Sequence, residues 1–174
     1  KAVFVNILLS QQIGHGFYDK ANIFLYKKFY SYINIPDTSN RDSLFQSEVR
    51  RCKEILDNTD NGRIFCIFDE LYSGTNHEEA ISTGYSFIHY LSQNNNINFI
   101  LTTHFKKISS LMEKNKVSNI SNKKMEIKTN GSTISYTYKL TKGISYYKGG
   151  LNILKQFNYP NKILEKAQMI LNTF

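Results

Sequence analysis

The fold of this chain is decided by residues 64–76, which read IFCIFDELYSGTN. Residues 64–68 are five consecutive apolar residues, and such a run is typical of a strand that is buried on both faces of a parallel sheet. The strand ends in two carboxylates, Asp69 and Glu70, and it carries them to the carboxyl edge of the sheet, where ligands bind in open α/β folds. The sequence therefore predicts an α/β fold with an acidic pair at its ligand-binding edge.

A second predicted strand also ends in polar residues. Residues 99–104 read FILTTH, so His104 follows this strand as Asp69 and Glu70 follow the first. A helical pattern between the two strands indicates a parallel pair with a right-handed crossover. A metal-holding Asp, a water-orienting Glu and a polar His at neighbouring strand ends are components of a nucleotide hydrolase. The alternatives that the residues leave open are a helix-capping role for the acidic pair and a packed or surface position for the histidine.

The segment after the acidic pair has two interpretations. Gly74, Thr75 and Asn76 lie where the chain must turn from a strand into a helix. They are either an ordinary loop glycine followed by a helix N-cap residue, or part of a loop that reaches a partner subunit.

Length and composition predict one α/β domain with a small appendage, because 174 residues with 41% hydrophobic content can bury a sizeable core. Cys52 and Cys66 fall at apolar positions of a predicted helix and strand. Their spacing is unlike that of metal ligands, so we expect two packed thiols in a reducing, intracellular compartment such as a cytoplasm, nucleoid, viral factory or organelle.

The sequence contains no apolar run of the roughly 20 residues that span a bilayer, and we expect no membrane partner. Residues 1–9 resemble a signal peptide in being basic and then apolar, but Gln11 and Gln12 follow where a cleavage site needs small residues. We therefore expect an interior helix of a protein that is not secreted. Because the sequence opens inside this helix, we also expect it to be a piece of a longer protein.

The net charge of +8 is unevenly distributed along the chain. Residues 1–99 carry nine basic and eleven acidic side chains, whereas residues 100–174 carry thirteen basic and three acidic ones. Such asymmetry is compatible with a surface that faces nucleic acid. The basic half has no arginine, the better reader of phosphates and bases, so we favour a solvated lysine-rich surface over direct DNA contact.

Periodicity and turn residues predict the remaining elements. A hairpin is expected around Asn130 and Gly131, and Pro160 suits the first turn of a helix. Residues 21–35 are predicted to form one or two strands that end at Pro36, and residues 37–40 a turn. The predicted helices are 1–13, 43–57, 77–92, 105–114, 149–157 and 160–173; the other predicted strands are 63–68, 97–102, 125–128 and 133–140.

Together these motifs resemble one family. Residues 69–80, DELYSGTNHEEA, resemble the Walker B and D-loop segment of the MutS family of mismatch-repair ATPases, whose pattern is Asp-Glu-(Ile/Leu)-x-x-Gly-Thr before a helix. Residues 102–105, TTHF, are similar to its Thr-His-(Tyr/Phe) switch segment, and residues 43–48, SLFQSE, to its Ser-(Thr)-Phe-x-x-Glu signature motif. Residues 138–143 and 160–171 resemble its C-terminal segment. The order and separations agree, and the combination is specific where any single motif would not be.

The resemblance implies the C-terminal ATPase domain of a MutS-like protein, with a P-loop NTPase fold of the ABC-ATPase type and a small C-terminal helical segment. It implies an ATPase core over residues 1–142 and a dimerisation segment over residues 143–174. ATP and Mg²⁺ are the implied cofactors, a homodimer or a MutS-like subunit the implied partner, and mismatched or branched DNA the implied partner of the full-length protein. The implied site residues are Asp69 for the metal, Glu70 and His104 for catalysis, and Ser43, Gly74, Thr75 and Asn76 for the nucleotide.

The chain also departs from the family pattern. The phosphate loop Gly-x-x-x-x-Gly-Lys-(Ser/Thr) is absent, and Lys1 falls a few residues beyond its expected lysine, so we expect the loop upstream. Arg41 replaces a glycine two residues before the signature serine, and Tyr72 and Ser73 replace the usual loop residues. These differences indicate a divergent branch, for which a virus and an organelle are both candidate sources.

The sequence leaves two competing functions open. One is an ABC-type ATPase of the SMC or transporter kind, which the absence of a Leu-Ser-Gly-Gly signature disfavours. The other is a non-catalytic dimerisation module.

Overall fold

The computed structural model describes residues 1–33, 43–59, 62–130, 133–147 and 149–173. The predicted turn at 37–40, the Arg41 replacement and Gly131 lie outside these residues. The chain divides into two compact units, Lys1–Ile120 and Ser121–Phe174. The first contains α1 (Ala2–Ile13), β1 (Lys28–Tyr32), α2 (Leu44–Leu56), β2 (Ile64–Asp69), α3 (His77–Ser92), β3 (Ile97–Thr102) and α4 (Lys106–Lys114), and the second contains β4 (Lys123–Asn130), β5 (Thr133–Lys142), α5 (Gly150–Gln156) and α6 (Asn161–Leu171).

The first unit is built on a parallel sheet in the order β1-β2-β3. Strand β2 is central, and all five of its apolar residues are buried. Its neighbours are in register, so that Ile67 pairs with Ser31 on one side and Ile100 on the other. The prediction of a strand buried on both faces, and of parallel pairing with the strand after α3, is confirmed.

Alternate residues of β2 face opposite layers, as the pleat of a strand requires. Phe68 packs on Phe87 of α3, with ring centroids 5.6 Å apart, in the core that also holds residues of α2 and α4. Phe65 points the other way and packs on Phe4 of α1 at 5.9 Å. Helices therefore cover both faces of the sheet, which gives this unit an α/β layer structure.

Helix α1 has the predicted bounds, and it ends at Gly14 with φ 73°, a left-handed conformation that glycine adopts without steric cost. The expectation of an interior helix is wrong for the first unit, in which part of the apolar surface of α1 is exposed. Val3, Val5 and Ile13 are 48%, 47% and 65% exposed, because the helix contacts the sheet through the side that carries Phe4.

The segment before β1 is less regular than predicted. Within residues 21–33, the described part of the region predicted as strand, only Lys28–Tyr32 forms a strand. At Tyr26 the backbone N–H and C=O are satisfied by the Gln11 side chain of α1, at 2.8 and 2.5 Å, instead of by a neighbouring strand. A side-chain amide can replace a ladder pair in this way because it offers one donor and one acceptor.

The second unit consists of an antiparallel hairpin and two short helices. Strands β4 and β5 pair as predicted, with a register irregularity between Met125 and Ile127. The boundary between the two compact units lies after Ile120, which is before the hairpin, so the hairpin belongs to the second unit. The separate prediction that residues from 143 onward form a dimerisation segment stays a prediction. In the described ranges, no helix has both the length and the apolar character needed to cross a bilayer.

We predict that both cysteines resist modification while the chain is folded. Cys52 and Cys66 are free and buried, and burial raises the pKa of each thiol from 9.0 to about 12. An aromatic disulfide reagent at pH 8 should therefore label neither thiol in the folded chain and both in denaturant, because the thiolate is the reactive form.

The same shift sets an alkaline limit on stability. As the pH rises from about 9 towards 12, the thiols ionise first in the unfolded chain, so the free energy of unfolding should fall. For the labelling experiment described above, rapid modification of both thiols in the folded chain at pH 8 would show that they are not enclosed.

Candidate functional site

The ends of β2 and β3 bring the predicted edge residues together. Asp69 is the last residue of β2 and pairs in register with Thr102, the last residue of β3. The Thr102 hydroxyl donates a hydrogen bond to Asp69 Oδ1, and the backbone N–H of Glu70 donates to the Thr102 carbonyl at 2.9 Å. Two hydrogen bonds therefore fix where the acidic pair leaves the sheet.

The surroundings of the Asp69 carboxylate stabilise its negative charge. The hydrogen bond from Thr102 holds the pKa of this carboxyl below its usual range, and Lys1, whose Nζ lies 3.3 Å from Oδ2, lowers it further against the opposing effect of burial. About one-third of the Asp69 side chain is exposed, so its oxygens remain accessible. An accessible, ionised carboxylate is a suitable ligand for a hard cation such as Mg²⁺.

Glu70 and His104 meet at the surface. His104 Nδ1 lies 3.3 Å from Glu70 Oε1, and the two side chains are 59% and 56% exposed. The His104 ring also rests on buried Phe105, with centroids 4.2 Å apart, which limits its position. The predicted catalytic pair is thus in mutual contact beside Asp69, in a position open to a ligand.

The loop after β2 has an unusual backbone. Glu70 and Tyr72 have φ 56° and 59°, in the left-handed region that residues other than glycine seldom occupy. Each such conformation costs on the order of 1–3 kcal/mol and persists where the surroundings enforce it. Between them, Leu71 is fully buried and anchors the loop to the core.

Gly74 lies against the start of α2. A Cβ atom at Gly74 would be 2.7 Å from the backbone nitrogen of Phe45 and 2.9 Å from Cγ of Leu44. The next residues make local contacts: Thr75 Oγ1 donates to Glu79 at 2.5 Å, and Asn76 is the N-cap of α3, its Oδ1 accepting from the Glu79 N–H at 3.0 Å. The capping interpretation therefore holds for Asn76, whereas Gly74 is required for a close approach.

Ser43 is the N-cap of α2. Its hydroxyl accepts from the Gln46 N–H at 3.3 Å, while the Gln46 side chain accepts from the Ser43 N–H at 2.9 Å, which together form a capping box. These contacts are with its own helix rather than with Asp69, Glu70 or His104. The side chain is exposed, so a role towards a partner subunit stays a prediction.

Two residues that hold the site were not predicted as site residues. Thr102 aligns Asp69, and Glu48 accepts hydrogen bonds from Ser73 and Gly74 of the loop. A signal for Glu48 was present in the sequence, because it falls on the apolar face of α2 between Phe45 and Cys52. A carboxylate at such a position indicates buried hydrogen-bond donors nearby.

In the part of the chain that the structure describes, no group of three or more His, Cys, Asp and Glu side chains could form a metal site. Side chains of the described residues thus do not form a closed cage for an ion. The edge instead offers Asp69 as one protein ligand, which suits Mg²⁺ because this ion usually keeps several water ligands.

One family model covers almost the whole chain. The family described as MutS domain V matches residues 2–174. The chain belongs to the MutS family. DNA mismatch repair protein MutS from Prochlorococcus marinus strain MIT 9312 is 28% identical over 156 residues, which cover 89% of this chain and 17% of that protein. The protein of that name from Finegoldia magna is 24% identical over 153 residues, covering 87% of this chain and 18% of that protein.

A third relative, DNA mismatch repair protein MutS from Caldicellulosiruptor saccharolyticus, is 25% identical over 156 residues, covering 88% of this chain and 18% of its own length. The chain therefore spans less than one-fifth of the length of these MutS relatives. The Asp-Glu edge, the Gly74 contact and the capped helix α2 described above all lie within the region matched by MutS domain V.

We predict that Gly74→Ala destabilises the chain by about 1–3 kcal/mol, the usual cost of forcing an extra group into a packed site. The new methyl group would meet backbone at Phe45, which cannot rotate away as a side-chain end can. Denaturant unfolding followed by circular dichroism measures the change.

Gly150→Ala is the matched control, because a Cβ there has no atom within 4 Å. Within α5 this replacement should be neutral or stabilising by up to about 1 kcal/mol, given the higher helix propensity of alanine. Equal stability of the Gly74→Ala variant and the unchanged chain would refute the close approach.

Proposed function

We propose that this chain is the ATPase domain of a MutS-type mismatch-repair or recombination protein, and that it hydrolyses ATP with Mg²⁺ at a dimer interface to control DNA binding. One observation carries the proposal: Asp69, Glu70 and His104 meet at the carboxyl edge of a parallel sheet in a chain that matches MutS domain V. The carboxyl edge is where open α/β sheets bind ligands.

The residues at the edge suit different parts of the reaction. Asp69 would hold Mg²⁺, whose charge stabilises the transferring phosphoryl group when it is bound. Glu70 would orient and polarise the attacking water; its exposed carboxylate, which can reach solvent, supports this role. His104 contacts Glu70 and would keep that carboxylate in a defined orientation. A P-loop NTPase fold of the ABC-ATPase type accommodates these roles.

The sequence of residues 1–174 contains no Gly-x-x-x-x-Gly-Lys-(Ser/Thr) pattern, which is the phosphate loop of such an ATPase. We propose that residues preceding Lys1 supply it. Backbone N–H groups in such a loop provide much of the grip on the β- and γ-phosphates. The greater length of the MutS relatives is compatible with this arrangement.

The dimer part of the proposal rests on the exposed start of α2. In a head-to-tail pair, Ser43 of one copy would lie over the phosphate held by the other, where the free N–H groups and dipole of a helix N-terminus favour an anion. Gly74, Thr75 and Asn76 would line the same interface. Ile153, Ile163 and Ile170 of α5 and α6 are each nearly half exposed, which supports a dimerisation role for residues 143–174.

The proposed partners are therefore ATP, a second copy or a MutS-like subunit, and, through the full-length protein, mismatched or branched DNA. An intracellular location follows from that DNA partner.

We predict that Glu70→Gln lowers the turnover number for ATP by roughly 10²-fold or more, the scale of a positioned acid–base group. The amide can still hold water but polarises it less, so ATP and Mg²⁺ binding should persist. Asp69→Asn should instead weaken the dependence of turnover on Mg²⁺. Steady-state hydrolysis by the protein that contains this chain together with its phosphate loop measures both effects.

Glu54→Gln is the control for this experiment. Glu54 is an exposed carboxylate of α2, paired with Arg51 at 2.8 Å, and its loss should leave turnover unchanged. Wild-type turnover by the Glu70→Gln protein would refute the catalytic assignment. A protein with no ATP hydrolysis, despite an intact phosphate loop, would support the non-catalytic dimerisation module instead.

A further inference from the structure

Glu48 is a buried carboxylate that the proposed reaction does not use. It lies inside α2, only 2% exposed. Its Oε1 accepts hydrogen bonds from the backbone N–H and the hydroxyl of Ser73, and its Oε2 accepts from the backbone N–H of Gly74, each at 3.1 Å. A carboxylate accepts through both oxygens and donates through neither, so it matches three converging donors.

The Tyr32 hydroxyl extends this arrangement. It is hydrogen-bonded to Glu48 and also accepts the backbone N–H of Tyr72 at 3.2 Å. Three consecutive backbone N–H groups of the loop, those of Tyr72, Ser73 and Gly74, therefore end on this pair of buried side chains. We call Glu48 and Tyr32 the loop clamp.

The clamp acts where the backbone needs enforcement. Glu70 and Tyr72 have left-handed φ values, and such values persist in residues other than glycine only when several contacts impose them. One of these two residues is the proposed catalytic Glu70. Its side chain is exposed, and the side-chain contact described for it above is the one with His104. Its direction therefore depends on His104 and on the course of the loop backbone, which the clamp holds at the residues that follow.

The clamp also joins the loop to the start of α2. Glu48 lies five residues after Ser43 on the same helix, and Gly74 packs directly on the first turn at Leu44 and Phe45. A displacement of α2 would therefore be transmitted to the loop by both hydrogen bonds and close packing.

We propose that Glu48 is a positioning residue that couples the start of α2 to the loop carrying Glu70, so that the orientation of Glu70 depends on the position of α2. This inference rests on the proposed ATPase function. Contact of a partner subunit with the exposed start of α2 would then be sensed at Glu70 of the same chain, through Glu48.

The test compares Glu48→Gln with Glu54→Gln in the protein that contains this chain and its phosphate loop. In the Glu48→Gln protein, the new NH₂ group must face an N–H donor of either Ser73 or Gly74, so at least one hydrogen bond to the loop is lost. We expect the turnover number to fall roughly 10- to 10²-fold, the scale of a displaced catalytic group. The KM for ATP should change by less than about 2-fold, because no nucleotide contact is removed.

Tyr32→Phe provides a second variant that keeps the shape of the side chain. It removes the acceptor of the Tyr72 N–H, so it should also lower the turnover number with little change in KM. Hydrogen exchange of a peptide spanning residues 70–76 should accelerate in both variants, while melting temperatures report whether the fold survives. Should Glu48→Gln unfold the protein, Tyr32→Phe decides the question.

Wild-type turnover in a folded Glu48→Gln or Tyr32→Phe protein would overturn the inference. So would a loss of turnover that only parallels a loss of folded protein. Glu70→Gln, measured alongside, separates failure of the proposed ATPase function from failure of the role of Glu48. If the Glu70→Gln protein also has wild-type turnover, the proposed function fails. If only the Glu70→Gln protein is impaired, the role of Glu48 alone fails.

Discussion

The burial of β2 on both faces constrains everything else in the first unit. A strand with five consecutive buried residues needs hydrogen-bonding neighbours on both edges and apolar layers above and below it, because unpaired backbone groups in a core are costly. Strands β1 and β3 supply the hydrogen-bonding neighbours, and the helices supply the apolar layers. The strand must then end where its first carboxylate appears, so the position of Asp69 follows from the enclosure of the residues before it.

The loop that leaves β2 shows how a strained segment is held in place. Its backbone takes two left-handed residues within three positions, and Leu71 between them is fully buried. The N–H groups that such a path turns inwards need acceptors, and α2 and β1 provide them through Glu48 and Tyr32. An exposed pair, Glu70 and His104, is in this way attached to a loop that buried residues hold in place, as the proposed ligand site requires.

Much of this fold could be predicted from local sequence. The apolar run of β2 and the helical spacing in α2 and α3 are short-range patterns, and their bounds agreed to within one or two residues. Long-range contacts have no such pattern. The bond from Thr102 to Asp69 joins residues 33 apart and that from Ser73 to Glu48 joins residues 25 apart, so neither could be read from periodicity.

The same reasoning explains two expectations that failed. The apolar residues of α1 predicted a helix, but they did not show which side of it another layer would cover. Val3 and Val5 proved to be exposed. Residues 21–27 had the composition of a strand, yet the Gln11 side chain satisfies the backbone at Tyr26. In both cases a tertiary contact, rather than local preference, decided the structure.

Metal-directed backbone cleavage tests most directly whether the carboxyl edge of β2 and β3 is the nucleotide site. Fe²⁺ would replace Mg²⁺ in the protein that contains this chain and its phosphate loop, with ATP present. Dissolved oxygen would be the oxidant for cutting near the ion, and ascorbate would return the iron to Fe²⁺. If this edge is the nucleotide site, ATP-dependent cuts are expected close to Asp69 and Thr102, and excess Mg²⁺ should suppress them and Asp69→Ala remove them. Cuts suppressed by Mg²⁺ but confined to segments away from these strand ends would contradict this assignment.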